Sequence, residues 1–350
     1  MTTVGAASGI GADRGAGAVG GVGGPAVVRV PRGAHGFAFD RAATPVVRVP
    51  PGSSLVVETY DCFSNKVSSS EQVFGHESEL LDLIGQYNPV TGPIYVESAE
   101  PGDRLVVHID HIDLGTFAPY ATTLVTGDSK GVCGGHWNPL DDGLPDTRIC
   151  ALDGDTVTFP AGAGDLRLPV RPMIGSIGTA SATGGASSLE FGPLHGGNVD
   201  CPSITTGATV LLPVNVPGAL LFLGDVHAAM GDAEVTGTAL ETNGDVHITV
   251  DVVKGGDEPV TPRLDTATTL GSIGCEFGAP LERNLRHAFT DLIERLHRGH
   301  RLTRVEAYEL LGATARVQVN QCVAGGWTAV HVNIARSVVP DPEKTDEGAG

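Results

Sequence analysis

Two short stretches of the chain combine glycine with side chains that can bind a metal ion. They are residues 194–200 (Leu-His-Gly-Gly-Asn-Val-Asp) and residues 224–234. Side chains two positions apart in an extended chain share a face, which pairs Asp225 with His227. The same spacing pairs Asn198 with Asp200, and Asp232 with Glu234. A carboxylate beside an imidazole offers the mixed ligands that suit a divalent metal. The spacing is therefore compatible with a metal site, but by itself it favours a polar turn with a hydrogen-bonded histidine.

Other catalytic motifs receive less support. The sequence has no G-x-S-x-G nucleophile elbow, no G-x-G-x-x-G fingerprint and no P-loop, which argues against an α/β hydrolase and against nucleotide binding. The Gly/Ser-rich stretch 184–188 leaves open a serine-dependent amidase that uses Ser187 or Ser188. That alternative predicts covalent labelling by a serine-directed probe and indifference to chelators.

Composition and charge restrict the partners. The 350 residues include 22 Lys and Arg against 41 Asp and Glu, a formal charge of −19. This excess argues against non-specific binding to nucleic acid or to an anionic membrane, because both need a basic surface. No apolar run approaches the ~20 residues of a membrane span. The six cysteines form no C-x-x-C pair, and no signal-peptide pattern precedes the first turns. We expect reduced thiols in a cytoplasm.

The elements that must position these residues are mainly strands. Glycine (49) and proline (23) mark many turns, and a short β-branched run often follows a turn. Such segments cover residues 51–57, 101–107, 153–159, 207–212 and 243–250. They predict a mainly β fold, a sandwich or barrel and not a doubly wound sheet.

One region has helical spacing. Apolar residues recur between Leu285 and Leu296, and Thr303 with Glu306 has the form of a capping box before a second helix at 304–311. A helical hairpin over about 281–312 is therefore predicted to pack against the sheets. The alternating run 315–321 predicts a closing strand.

The chain divides into four parts by composition. Residues 1–24, almost all Gly, Ala, Val, Ser and Thr, predict a disordered tail, and 340–350 a polar tail. A β-rich part over 25–170 and a second β-rich part over 171–339, which carries the helices, are expected to form one catalytic unit.

Several runs together resemble the acetamidase/formamidase family. They are residues 58–61, 88–103, 172–178, 195–200 and 213–234, and they keep their order between about His35 and Val339. The resemblance implies jelly-roll-like sheets with a minor α/β part, usually in a homo-oligomer. It also implies hydrolysis of a small amide to a carboxylate and ammonia, and a divalent metal, with zinc expected and calcium as the alternative. Some relatives act on cyclic amides such as γ-lactams.

The resemblance assigns roles to individual residues. A metal would be held by His195, Asp225 and His227, with Asp61 or Asp200 as further ligands. It would lower the pKa of a bound water towards ~7 and polarise the carbonyl. A carboxyl group would carry the proton to the leaving nitrogen, and the candidates are Glu97, Asp232 and Glu234. Substrate contacts would come from Asn198, Gly196 and Gly197.

This chain departs from the family pattern at several positions. Met230 replaces the usual glutamine, which would remove a polar group beside the site. Ala233 and Ser98 each stand where glycine is usual. A non-catalytic β-sandwich module that binds a small ligand is the alternative from another class. It would gain support if the 195–200 and 225–227 segments did not meet in one pocket.

Overall fold

The structure is a computed structural model that describes residues 27–128, 143–256, 261–323 and 326–341. The predicted tail over 1–24 lies outside these residues, as do Cys133 and all but two residues of the tail over 340–350. In the part of the chain that is described, no helix combines the length and apolar character needed to span a bilayer.

Strands dominate the described residues, which confirms the mainly β prediction. The first eleven strands are β1 Val28–Val30, β2 His35–Gly36, β3 Ala38–Asp40, β4 Val47–Val49, β5 Ser53–Glu58, β6 Val90–Val96, β7 Arg104–Leu114, β8 Tyr120–Val125, β9 Asp146–Asp153, β10 Thr156–Phe159 and β11 Leu166–Pro169. The next twelve are β12 Met173–Thr179, β13 Gly185–Ser187, β14 Phe191–Gly192, β15 Gly196–Asn198, β16 Thr209–Pro213, β17 Leu221–Ala229, β18 Leu240–Thr242, β19 Gly244–Val253, β20 Arg263–Asp265, β21 Thr269–Gly274, β22 Arg316–Val323 and β23 Trp327–Ala335. The helices are α1 Glu77–Ile84, α2 Leu281–His300 and α3 Arg304–Thr314, and a 3-10 turn covers Arg336–Val338.

Turn chemistry sets where several strands begin. Gly52 and Gly102 adopt φ of 80° and 95° just before β5 and β7, a conformation that costs glycine little. The predicted turn-and-strand segments correspond to β5, β7, β10, β16 and β19. The alternating run at 315–321 forms β22.

The strands form two large sheets and one small one. The nine-stranded sheet has the order β1-β5-β19-β7-β16-β20-β21-β23-β22. The twelve-stranded sheet has the order β11-β10-β9-β8-β18-β17-β12-β15-β14, with β6 joining β17 to β2 and β4. Strands β3 and β13 pair separately. Both large sheets mix strands from the two β-rich parts of the sequence. The jelly-roll-like arrangement and the part boundaries stay predictions.

The main core contains side chains from both large sheets. Leu55, Ile109 and Ile248 come from the nine-stranded sheet, and Ile174 and Leu223 from the twelve-stranded sheet. All five are almost fully buried. Burial of such apolar side chains stabilises the fold by about 1.5–3 kcal/mol each. This core fixes β17 and β12 in place, and those strands carry the polar residues discussed below.

The predicted helical hairpin is present as α2 and α3. Thr303 accepts a hydrogen bond from the Glu306 backbone, and Glu306 accepts one from the Thr303 backbone, which confirms the capping box. Helix α2 packs against β21 and β23. It approaches so closely that a Cβ at Gly274 would lie within bonding range of the Asn284 carbonyl oxygen. Helix α1 was not predicted, because it has only eight residues.

Candidate active site

Strand β17 brings the Asp225 and His227 side chains together, in the interior of the twelve-stranded sheet. His227 Nε2 lies 3.4 Å from Asp225 Oδ1 and 3.2 Å from Glu241 Oε2, and all three side chains are buried. Asp225 has φ of 57° and stands opposite Gly175, where the pairing of β17 with β12 is interrupted without a change of register. Its carboxylate lies beside the neighbouring polar side chains.

Three further segments complete what we call the site cluster: Cys62, Asp200, Asp225, His227, Glu234 and Glu241. Asp200 follows β15, Glu234 lies between β17 and β18, and Cys62 follows β5. Ligand atoms of Asp200, His227 and Glu234 lie within 4.8 Å of one another. The same holds for Cys62, Asp225 and Glu241. The cluster therefore contains two adjoining groups of three possible metal ligands.

Gly175 on β12 makes room for two of these carboxylates. A Cβ at this position would lie 2.5 Å from Asp200 Oδ1 and 2.6 Å from Asp225 Oδ2. Both distances are well below van der Waals contact. Any side chain at Gly175 would therefore displace both carboxylates.

Amide and hydroxyl groups hold some carboxylate oxygens. Asn88 Nδ2 donates to Asp225 Oδ2 and to Asn198 Oδ1, both at 2.9 Å. Ser176 Oγ donates to the same Asn198 oxygen at 2.7 Å. Gln321 Nε2 donates to Asp200 Oδ2 at 2.7 Å. These bonds fix the orientation of the carboxylates from outside the cluster.

Other buried atoms in and beside the cluster have no hydrogen-bond partner among the described residues. They are Asp61 Oδ2, Asp200 Oδ1, Glu241 Oε2 and both ring nitrogens of His227. A buried polar atom without a partner costs about 1–3 kcal/mol, and more if it is charged. Several such atoms around one point indicate a site built to receive a ligand. Because most of them are carboxylate oxygens, a cation fits the site better than an anion does.

Burial and repulsion between charges shift the titration of the cluster. Burial raises the pKa of Glu234 to about 8 and the pKa of Asp61 to about 7. Burial and then the charge of Glu241 raise the pKa of Asp225 to about 6. Burial alone would lower the pKa of His227, but the Glu241 and Asp225 carboxylates raise it well above its ordinary value. Burial opposes ionisation of Glu241 as well, yet the charge of His227 lowers the pKa of Glu241.

A cavity of about 420 Å³ opens onto the cluster. Asp200, Asp225, Glu234 and Glu241 line one side of it. Its other described lining residues include Asn88, Asn198 and Gln321 together with apolar side chains. A small molecule in this cavity would therefore reach the carboxylates directly.

Three predicted residues lie apart from this cavity. Glu97 is exposed at the end of β6. Asp232 is also exposed, and it accepts a hydrogen bond from Gln318 Nε2. His195 is buried against the Phe39 ring, and burial lowers its pKa to about 4. None of the three is among the described residues that line the cavity.

The reason that Asp232 and Glu234 diverge is local. The shared face expected for residues two apart requires an extended backbone. Ala233 and Glu234 instead adopt φ of 74° and 44°, which turns Glu234 inwards and leaves Asp232 outside.

Three more predicted residues support the site indirectly. Asp61 is buried beside the cluster, but its Oδ1 accepts hydrogen bonds from the Phe63 and Asn65 backbone. Gly196 and Gly197 do not line the cavity among the described residues. A Cβ on either glycine would collide with a backbone carbonyl oxygen, at 2.6 Å and 2.3 Å respectively. The two glycines allow β15 to pack closely.

Cys62 and Glu241 were not predicted from the sequence. Glu241 lies fourteen positions after His227 on a separate strand, β18, so no short spacing links them. Cys62 directly follows Asp61, but it belongs to no C-x-x-C pair or other short ligand motif that would mark it as a metal ligand. The 195–200 and 225–227 segments do meet in one pocket, but through Asn198 and Asp200 and not through His195.

Met230 lies in a separate hollow of about 280 Å³ with Arg171 and Gln318.

The family match and the curated relatives of this chain agree with each other. The sequence matches the model of the acetamidase/formamidase family over residues 39–190 and 182–325. The formamidase of Methylophilus methylotrophus is 26% identical over 257 residues, which cover 60% of this chain and 62% of that protein. The acetamidase of Mycolicibacterium smegmatis is 28% identical over 268 residues, covering 60% and 64%. The chain thus spans a little under two thirds of the length of these curated relatives.

Solved structures show the same likeness over more of the chain. The crystal structure of an acetamidase from Bacillus halodurans is 33% identical. It superposes with a TM-score of 0.77, covering 88% of this chain and 97% of that one. The fold and the sequence therefore point to one family.

Proposed function

The chain belongs to the acetamidase/formamidase family, and from this premise we propose that it hydrolyses the C–N bond of small amides. The products are a carboxylate and ammonia. The observation that carries the proposal is the set of unpartnered buried atoms on Asp200, His227 and Glu241, which lie beside a cavity large enough for an amide. A hydrolytic site of this kind must activate water, polarise the carbonyl and protonate the leaving nitrogen.

A divalent metal fits the donor atoms of the site cluster. The residues that would hold it are drawn from the two groups Asp200, His227, Glu234 and Cys62, Asp225, Glu241. Imidazole and thiol ligands favour zinc over calcium, which prefers oxygen ligands alone. When bound, the metal supplies Lewis acidity towards a carbonyl oxygen.

Other residues of the chain would orient the carboxylates of the site cluster and bind the substrate. Asn88, Ser176 and Gln321 hold Asp225 and Asp200 in fixed orientations through hydrogen bonds. Asn198 lines the cavity, and its Oδ1 already accepts from Asn88 and Ser176. Its Nδ2 is then the atom left to donate to a substrate carbonyl.

Glu234 is the proposed proton carrier among the three predicted candidates. It is the one that lines the cavity, whereas Glu97 and Asp232 are exposed. As water adds to the carbonyl carbon and the C–N bond breaks, the Glu234 carboxyl group passes a proton to the departing nitrogen.

Ammonia release tests the proposal. Purified protein is assayed with formamide, acetamide, propionamide and a γ-lactam, before and after treatment with a chelator, and then with added zinc. We expect release that is lost on chelation and restored by zinc. Release that ignores the chelator, together with labelling of Ser187 or Ser188 by a serine-directed probe, would favour the serine-dependent alternative. No release from any amide would favour the binding module.

A cytoplasmic location and a homo-oligomer belong to the same proposal. The cysteines of the described residues, Cys62, Cys150, Cys201, Cys275 and Cys322, are all free thiols, which suits a reducing compartment. Sedimentation of the purified protein tests the oligomer: a single species at the monomer mass would contradict it.

A further inference from the structure

The cavity beside the site cluster is also lined by apolar and aromatic side chains, which amide hydrolysis by itself does not require. Together we call them the apolar wall: Phe63, Tyr87, Leu124, Leu189, Val323 and Trp327. Aromatic residues make up only 5% of the chain. Three of them on one cavity wall are therefore a local concentration.

The aromatic rings of this wall are held in place. Trp327 Nε1 donates to the Leu189 carbonyl at 3.3 Å, and the indole packs edge to face on Phe277 at 5.0 Å. Phe63 and Tyr87 pack in the same way at 6.3 Å. Trp327 and Tyr87 are only partly buried, so part of each ring is open to the cavity. A fixed ring loses little entropy when an apolar ligand group packs on it.

The size of the cavity exceeds the needs of the smallest amides. A volume of about 420 Å³ falls in the range of ~300–1,000 Å³ that accommodates drug-sized ligands. It corresponds to roughly fourteen water molecules at ~30 Å³ each. Formamide or acetamide would leave the apolar wall without a contact.

The charge of the lining selects against anions. Away from the site cluster, whose carboxylates a bound metal would neutralise in part, the exposed carboxylates Glu77 and Asp128 also line the cavity. None of the described lining residues is Lys, Arg or His. A substrate with its own carboxylate would be repelled, whereas a neutral or cationic one would not.

We propose that the substrates of this chain are primary amides whose acyl group carries an aromatic ring without negative charge. The ring packs on Trp327 and Tyr87 while the carbonyl faces the site cluster. Water adds to the carbonyl carbon, the C–N bond breaks, and the arylacyl carboxylate and ammonia leave. This inference rests on the proposed amide hydrolysis and names its substrate class.

Three amides test the class with the metal-loaded protein: acetamide, phenylacetamide and 4-carboxyphenylacetamide. We expect kcat/KM for phenylacetamide to exceed that for acetamide by at least about 30-fold, and the carboxylated amide to fall below phenylacetamide by about tenfold. Equal or higher kcat/KM for acetamide would overturn the proposal.

A variant separates recognition by the wall from a general effect. Trp327→Leu should lower kcat/KM for phenylacetamide about tenfold and leave that for acetamide nearly unchanged. Phe117→Leu, which alters an exposed aromatic residue outside this cavity, is the matched control and should change neither. An equal loss for both amides with Trp327→Leu would assign Trp327 to structure and overturn the proposal.

Binding distinguishes failure of this inference from failure of the proposed function. The thermal unfolding of the metal-loaded protein is measured with phenylacetamide and with acetamide. If neither amide is hydrolysed, the hydrolytic function fails. Stabilisation by phenylacetamide alone, lost in Trp327→Leu, would then still support the aromatic site, and no stabilisation by either amide would overturn it.

Discussion

Two places in this molecule bury charge, and they differ in whether each charge has a partner. Between α2 and the nine-stranded sheet, Arg263 donates to both carboxylate oxygens of Asp291 at 2.8–3.2 Å. Ser272 donates to the same carboxylate. Both charged residues are nearly inaccessible to solvent. This pair is complete, with one cation for one anion.

In the site cluster, by contrast, the buried carboxylates outnumber the buried cations. It contains four buried carboxylates and one histidine, and several of its atoms lack hydrogen bonds in the described part of the chain. Its backbone is also strained: the non-glycine residues with positive φ include Asp200, Asp225, Ala233 and Glu234. Such strain costs about 1–3 kcal/mol for each residue and occurs mostly at functional sites.

The contrast between the Arg263–Asp291 pair and the site cluster distinguishes a structural charge from a functional one. A completed pair contributes to a fixed packing arrangement. A cluster with excess charge and strained backbone reduces stability until a ligand binds, and the large core to which both sheets contribute offsets that cost. Changes in the two places should therefore affect different properties.

The largest effect is expected from the site cluster. Asp225→Asn keeps the shape of the side chain but removes a charged ligand, so amide hydrolysis should fall at least about a thousandfold. The unfolding temperature of the metal-free protein should stay the same or rise, because one repelling charge is lost. Asp251→Asn, on an exposed position of β19, serves as control and should leave hydrolysis intact. A folded Asp225→Asn variant with normal turnover would contradict the assignment.

A change in the Arg263–Asp291 pair should lower stability and leave activity unchanged. Arg263→Met leaves the Asp291 carboxylate buried and unpaired, so the free energy of unfolding should fall by about 3–5 kcal/mol. Chemical denaturation measures this loss, and activity per folded molecule should not change. The double variant Arg263→Met with Asp291→Leu removes both charges and should recover most of the stability. A loss under about 1 kcal/mol in the single variant would show that the pair is not tightly coupled to the fold.

Two buried histidines, one inside the site cluster and one outside it, differ in the direction of their pKa shifts. Carboxylates raise the pKa of His227, whereas burial lowers the pKa of His331 on β23 to about 4, with Asp265 partly opposing the shift. The unfolded chain has a histidine pKa near ~6.5. Between about pH 4 and ~6.5, His331 binds a proton in the unfolded state but not in the folded state. The free energy of unfolding therefore falls as the pH drops through this range.

Relative to a His331→Leu variant, the wild-type protein should therefore lose up to about 1.4 kcal/mol of unfolding free energy per pH unit between roughly pH 6.5 and 4. Denaturation of both proteins at several pH values measures the difference. Parallel curves for wild type and His331→Leu would mean that His331 takes up its proton in the folded state.

The smallest effect concerns backbone strain. Ala233 has φ of 74°, where an L-residue costs about 1–2 kcal/mol and glycine does not. Glycine loses more chain entropy on folding, so Ala233→Gly should stabilise by no more than about 1 kcal/mol, or about 2 °C in Tm. Ala151→Gly, on β9 with ordinary φ, should destabilise instead. A lower Tm for Ala233→Gly would show that the turn stores no strain at Ala233.

Local pattern was enough to predict most elements. Turns with glycine followed by β-branched runs predicted β5, β7, β10, β16 and β19, because backbone preference acts within a few residues. The capping box of α3 was also readable, since Thr303 and Glu306 are neighbours on one helical turn. Asp225 and His227 could also be predicted from local sequence, because they lie two residues apart on one strand.

Strand pairing and chain turns bring the other cluster residues to Asp225 and His227. Glu241 reaches His227 because β18 pairs with β17, and Asp200 reaches Asp225 because both lie over Gly175. His195 and Asp232 were equally good candidates by sequence, yet packing against Phe39 and a left-handed turn at Ala233 place them elsewhere. Sequence spacing records which residues share a strand, whereas the pairing of strands and the sign of single φ angles decide which side chains meet.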